Sequence, residues 1–122
     1  MKREIKYRCW VAGKMWRVYS LDFGNNKEIG TRVNVSNGGR LGFPLGNVEL
    51  MQFTGIKDSN GKEIYDGDLI IADGYGPYRV FWDNDLCGWA SCVYDDADSL
   101  ARYKEIKIIG HIFDGTKYEG TL

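Results

Sequence analysis

Histidine occurs once in the 122 residues, proline twice and cysteine three times. No stretch approaches the ~18 consecutive apolar residues that a membrane-spanning helix needs. Lys2 and Arg3 are not followed by the apolar segment of a secretory signal, so the expectation is a soluble cytoplasmic chain with no membrane partner. One histidine leaves little room for histidine-based acid–base schemes, and no nucleophile motif accompanies it. Cys9, Cys87 and Cys92 form neither a C-x-x-C pair nor a zinc pattern, and three free thiols are ordinary in a reducing compartment. If a strand runs from Cys87 to Tyr94, Cys87 and Cys92 fall on opposite faces, which argues against their pairing. Gly38-Gly39 and Gly74-Tyr75-Gly76 match neither a P-loop nor a dinucleotide fingerprint.

What is abundant is glycine, at sixteen residues, and aromatic side chains, at 14% of the chain. Glycine is costly in a helix interior and aromatics suit pleated surfaces, so the composition favours short strands and tight turns. Ile5, Tyr7, Cys9 and Val11 alternate with Lys6, Arg8 and Trp10, the period of a half-buried strand. Ala12-Gly13-Lys14 offers a turn, with Met15–Leu21 as the returning partner. Six glycines fall within residues 22–47, around one strand that puts Thr31, Val33 and Val35 on one face. A boundary near residue 47 divides an N-terminal β subdomain, 1–47, from a second, 48–122. The second reads as strands at Val48–Phe53, Leu69–Ala72, Tyr78–Trp82, Gly88–Tyr94 and Glu105–Phe113. Turns are expected at Asp58–Gly61, Tyr65–Asp68 and Gly74–Pro77. Asp95–Ala101 is the one helical candidate, with acids at its N-terminal end.

The formal charge of −1 conceals a polarity. Residues 1–61 carry ten basic against five acidic side chains, and residues 62–122 carry six against twelve. The positive excess gathers early: Lys6, Arg8, Lys14 and Arg17, with Trp10 among them, are the candidate nucleic-acid or partner-binding residues, joined by Lys2, Arg3, Tyr7 and Trp16 in the wider segment. Alternation places Tyr7 with the core and Trp10 on the Arg8 face. The sequence pI of about 5.8 is low for a dedicated nucleic-acid binder, and contact with an acidic surface of another subunit competes with that reading. Asp83, Asp85, Asp95, Asp96 and Asp98 lack the spacing of a calcium loop, and a solvated turn explains them more simply than a metal. His111 reads as an ordinary strand residue; a cleft joining it to Asp83, Asp85 or Asp95 would be needed to revive catalysis. The sequence thus offers no catalytic residue, no metal ligand set, no cofactor and no small-molecule ligand.

The run from Glu49 to Ile70, with Phe53-Thr54-Gly55, Asp58-Ser59-Asn60-Gly61 and Ile64-Tyr65-Asp66-Gly67-Asp68 at its centre, resembles the signature of the YopX family of phage and prophage proteins. The opening Arg3–Trp10 and the closing Ile106–Phe113 agree with it. A small residue is usual at the Cys9 position; the chain departs from the pattern at His111 in place of Asn, and at Asp114–Lys117 in place of an Asn-Pro tail. The resemblance implies a mainly β protein. It has a variable N-terminal piece followed by an SH3-like small β-barrel, to which the residue pattern adds an N-terminal β-hairpin and one short helix before the last strand. It also implies a phage or prophage origin, hence the cytoplasm of a bacterial host, and a higher-order homo-oligomer, but no activity. The expectation is a non-enzymatic accessory protein that self-assembles or binds a partner, with a nucleic-acid-binding regulator as the rival and an uncharacterised enzyme behind both.

Overall fold

The computed structural model describes residues 4–24, 30–38, 40–93 and 96–118, with the side chains of 92, 93 and 96 left aside. The protein is mainly β, with a curled half-barrel sheet with which an SH3-like arrangement is compatible. The chain divides into two compact units, 1–52 and 53–122.

In the first unit, β1 (Tyr7–Val11) and β2 (Lys14–Arg17) form a hairpin, and β1 also pairs the start of β6 (Glu49–Lys57). Ala12 and Gly13 both sit at positive φ, 53° and 73°, the requirement of a two-residue primed turn that matches strand twist. β3 (Ser20–Asp22), β4 (Arg32–Asn34) and β5 (Gly42–Pro44) make a second, three-stranded antiparallel sheet. The expected continuous strand over Met15–Leu21 is therefore two strands. The chain changes partner at Val18, whose N–H donates to Tyr7 O at 3.2 Å, whereas the next N–H, of Tyr19, donates to Asn34 O at 2.8 Å. The core is Cys9, Val33 and Val35, packed by Val11, Trp16, Leu21, Phe43 and Leu50 among others. Trp16 and Phe43 meet with ring centroids 6.0 Å apart and draw the two sheets of this unit together.

In the second unit the end of β6 pairs β7 (Glu63–Tyr65). A five-stranded antiparallel sheet follows in the order β11-β10-β9-β8-β12, from β8 (Asp68–Ala72), β9 (Tyr75–Asp83), β10 (Gly88–Val93), β11 (Asp96–Ser99) and β12 (Ile106–His111). Its core joins Ile64, Ile70, Ala72, Tyr78, Val80, Trp89, Leu100 and Ile106. The turn read at Gly74–Pro77 is shorter than expected, because β9 starts at Tyr75. Register runs Ile70↔Tyr78 and Ala72↔Tyr75, so Gly76 and Pro77 together oppose Ile71 in a bulge, where a residue without an N–H costs no ladder bond.

The helix expected over Asp95–Ala101 is also corrected. Asp96–Ser99 is a strand whose residues pair with Val93, Cys92, Ser91 and Ala90 in turn, so ladder bonds to β10 prevail over a helix of less than two turns, too short to sustain itself. Asp95 lies outside the described residues. Helical geometry survives as one 3-10 turn, Leu100–Arg102, before the last strand; the Ser99 hydroxyl accepts from Ala101 N–H, and Leu100 is buried.

The outer edge of β12 is closed by the turn between β6 and β7. Asp58 Oδ1 accepts from the N–H groups of Asn60 (2.9 Å) and Lys62 (2.8 Å), while its Oδ2 accepts from Ile108 N–H at 3.2 Å. Ser59 N–H donates to Ile106 O at 2.8 Å, and Ile106 N–H returns a bond to Ser59 Oγ at 3.0 Å. An edge that would otherwise present a row of free amides is thereby covered. Burial by itself would raise the Asp58 carboxyl, but the three main-chain donors and the nearby Lys62 charge outweigh it and hold the group below the ordinary carboxylate range.

Candidate interaction surface

The register of the first hairpin sorts the predicted basic residues. Arg8 stands opposite Arg17, and Trp10 opposite Met15; across the other side of β1, Arg8 faces Met51 and Trp10 faces Glu49. These six share one face. Cys9, Trp16 and Leu50 occupy the other, toward the core, and Lys14 belongs with them as the partner of Val11. The fold therefore brings Arg8, Trp10 and Arg17 together and sends Lys14 the opposite way. There its ammonium group lies over the Trp16 ring, 4.3 Å from the centroid. Lys6 precedes β1 and is ion-paired with Glu4 at 2.9 Å. Lys2 and Arg3 lie outside the described residues.

Exposure separates the candidates again. Arg8 and Trp10 are half-buried and Met51 beside them is buried, so Trp10 is not an open stacking platform. Lys14 and Arg17 are exposed. They are the two ends of β2, which pairs only with β1 among the described residues and so forms a sheet edge. Antiparallel alternation, with Val18 N–H bonded to Tyr7 O, turns the main-chain groups of Met15 and Arg17 away from β1. The Arg17 guanidinium sits 5.0 Å from the ring centroid of Tyr19, which is 50% exposed. Tyr19 was not among the sequence candidates; the only signal for it is an aromatic two residues beyond an arginine on a strand. The accessible basic feature is thus a short edge strand, cationic at both ends and flanked by one aromatic ring.

Elsewhere the polar groups serve the backbone. His111 Nδ1 accepts from Phe113 N–H at 3.2 Å, and its main-chain N–H donates to Asp114 Oδ2 at 2.8 Å. Asp114 Oδ1 also accepts from Thr116 N–H at 2.9 Å. Burial would raise the Asp114 carboxyl, but donors from Thr116 and His111 outweigh it and lower it. Asp68, opposite His111 in the ladder, is buried and accepts from Tyr65 N–H at 2.7 Å. Asp83 accepts from Leu86 N–H at 3.0 Å and Asp98 pairs with Arg102 at 3.0 Å. β9, which carries Asp83, is separated from β12 by β8, so the structure gathers no cleft from Asp83 and His111. Among the described residues no three His, Cys, Asp or Glu side chains are placed to hold a metal ion. No described helix is long and apolar enough to cross a membrane. Cys9 is buried, which pushes its thiol up and makes it a poor nucleophile. Cys87 is exposed in the β9–β10 turn, and the opposite-face expectation for Cys92 falls on a side chain outside the described ones.

With this geometry in hand, comparison with known proteins adds two findings. The sequence matches the profile of the family described as YopX protein over residues 6–117. Among solved structures, the crystal structure of protein EF1440 from Enterococcus faecalis is similar, with a TM-score of 0.55 at 14% identity, over 92% of this chain and 95% of that one. At that identity the likeness is one of fold. No curated protein matches the chain.

Proposed function

The chain belongs to the YopX family, and from that premise we propose that it is a non-enzymatic accessory module of a phage or prophage, acting inside the bacterial host cell by self-assembly. Copies join head to tail, the basic edge strand β2 of one meeting the acidic second unit of the next. The observation behind this reading is that the charge polarity follows the structural division. Residues 1–52 carry nine basic and four acidic side chains, and residues 53–122 carry seven and thirteen. Complementary patches on one chain steer like copies together, and a heterologous contact closes into a ring when its rotation permits. A four-residue edge gives a few main-chain bonds, while Lys14 and Arg17 supply orientation.

Sedimentation velocity at micromolar protein, in low and in high salt, tests this. The expected result is an oligomer that dissociates as salt rises and that is monomeric at low salt when Lys14 and Arg17 are both replaced by Glu. A monomer in both salts overturns assembly, and an oligomer indifferent to salt and to the double substitution overturns the role of β2.

The exposed Arg17–Tyr19 pair supports the second reading, single-stranded nucleic-acid binding, because a guanidinium beside an open ring suits phosphate and base together. Oligonucleotide binding that weakens steeply with salt, and is lost when Lys6, Arg8 and Arg17 become Ala, would put that reading in place of the first.

A further inference from the structure

The chain contains the same tripeptide twice, Ser36-Asn37-Gly38 and Ser59-Asn60-Gly61. An asparagine followed by glycine is chemically frail, because no Cβ shields the glycine nitrogen from the amide carbon of the side chain beside it. Matched in sequence, the two sites are unlike in the fold. Around Asn60 the main chain is fastened: Asn60 N–H donates to Asp58 Oδ1 at 2.9 Å, Gly61 N–H to Asp58 O at 3.0 Å and Lys62 N–H to Asp58 Oδ1 at 2.8 Å. The nitrogen that would attack is already a donor there. Asn37 and Gly38 lie instead in the loop between β4 and β5, closed at its base by Val35 N–H to Leu41 O at 2.9 Å and Leu41 N–H to Ser36 Oγ at 2.7 Å. Beyond that closure both residues are exposed, and among the described residues no main-chain bond engages the Gly38 N–H. A Cβ built on Gly38, at φ +88°, would meet nothing within 4 Å, so the space about it is open. Asn34 is held on both sides of its amide, Oδ1 accepting from Arg32 Nε and Nδ2 donating to Ser20 Oγ, each at 3.1 Å.

We propose that Asn37 is a site of spontaneous covalent modification, converting to aspartyl and isoaspartyl residues while Asn60 and Asn34 stay intact. The Gly38 nitrogen, its proton taken by solvent hydroxide, forms a bond to Asn37 Cγ. The Cγ–Nδ2 bond breaks, and the departing nitrogen takes a proton from water and leaves as ammonia. Water then opens the resulting succinimide at either carbonyl: cleavage at Cγ gives aspartate, and cleavage at the main-chain carbonyl gives isoaspartate, with the chain rerouted through Cγ. The sum is one water taken up and one ammonia released, with nothing oxidised or reduced. Either product is a carboxylate, ionised at neutral pH, within the unit that holds the positive excess.

The test incubates the full chain, folded, at mildly alkaline pH and digests aliquots with trypsin, which releases Val33–Arg40 and Asp58–Lys62. Mass spectrometry reads the change from amide to acid, fragment ions assign it to a residue, chromatography separates the isomers, and an unincubated sample sets the zero. Asn37 should convert roughly tenfold or more faster than Asn60, because attack at Asn60 waits on local opening of its turn. In urea the two rates should converge to within about twofold, since the tripeptides are identical once the fold is gone. Equal rates in the folded chain, a faster Asn60, conversion at Asn34 instead, or an Asn37 that survives folded while converting in urea overturns the proposal. A rate difference undiminished in urea also overturns it, because the cause is then the neighbouring sequence and not the fold.

Discussion

The two units employ their charged residues differently. In the first, the strands run three to five residues before β6, the core is apolar, and the exposed cations Lys14 and Arg17 end an edge strand. In the second, aspartates fasten backbone to backbone: Asp58 spans the β6–β7 turn and β12, and Asp114 closes the turn after β12. Asp73 Oδ1 accepts from the N–H groups of Lys104 and Glu105 at 3.0 and 2.8 Å. With Asp68 and Asp83, five of the thirteen acidic side chains of this unit thus accept from main-chain donors, where they stabilise turns and strand ends. Net charge divides the chain in two, but only the geometry distinguishes charge held internally from charge offered to a partner.

The sharpest way to break this contrast is Asp58→Ala. Three main-chain donors lose a charged acceptor in a 7% exposed position, and bonds to charged groups contribute about 1.5–3 kcal/mol where their loss strands a buried donor. The expected loss of stability is roughly 2–4 kcal/mol in urea denaturation, larger than for removal of any single exposed cation of β2. A loss below that for Lys14→Ala would dissolve the distinction between the units.

Acid titration sharpens it less drastically. Asp58 and Asp114 have folded-state pKa values below their unfolded ones, so the folded state binds fewer protons. Their contribution is present above the unfolded carboxyl value and is lost as pH falls through the lowered folded values, that is, below about pH 4. Urea midpoints followed from pH 7 to pH 2.5 should fall across that window, and the double substitution Asp58→Asn, Asp114→Asn should flatten the fall. An unchanged pH slope in that variant would mean that other carboxylates govern acid stability.

The smallest effect belongs to the first unit. Ala12 occupies left-handed backbone at φ 53°, which costs an L-residue with a Cβ roughly 1 kcal/mol. Ala12→Asn, the residue type this turn position favours, should raise stability by about 0.5–1 kcal/mol. No gain, measured by the same denaturation, would show that the hairpin turn adapts around the alanine.

Local periodicity was the most legible layer. Alternation about Cys9 and Val33 places both in the core, where each is fully buried, and the Asn-Gly and Asp-Gly turns of the family signature stand where expected. Elements decided by distant partners were not. Tyr19 leaves β2 because Asn34 O accepts its N–H, and Asp96–Ser99 extends because β10 lies beside it; neither partner is visible within a local window. β5 escaped notice because Gly42-Phe43-Pro44 has no alternation to read, only β4 to pair with. For the basic segment, Lys14 shares the parity of Lys6, Arg8 and Trp10, and it is the two-residue turn that sends it to the other face, because the hairpin register pairs it with Val11. The half-burial of Arg8 and Trp10 required the packed structure.

The seal at the edge of β12 joins residues separated by 47 and 50 positions in the chain. A contact so remote in sequence cannot form while the chain is still being synthesised up to Gly61, and it waits on the arrival of the last strand. Asp58 and Ser59 are thus set in place early as a latch for something made late. Until Ile106 and Ile108 meet them, both sides carry unpaired hydrogen-bonding groups that another chain can engage.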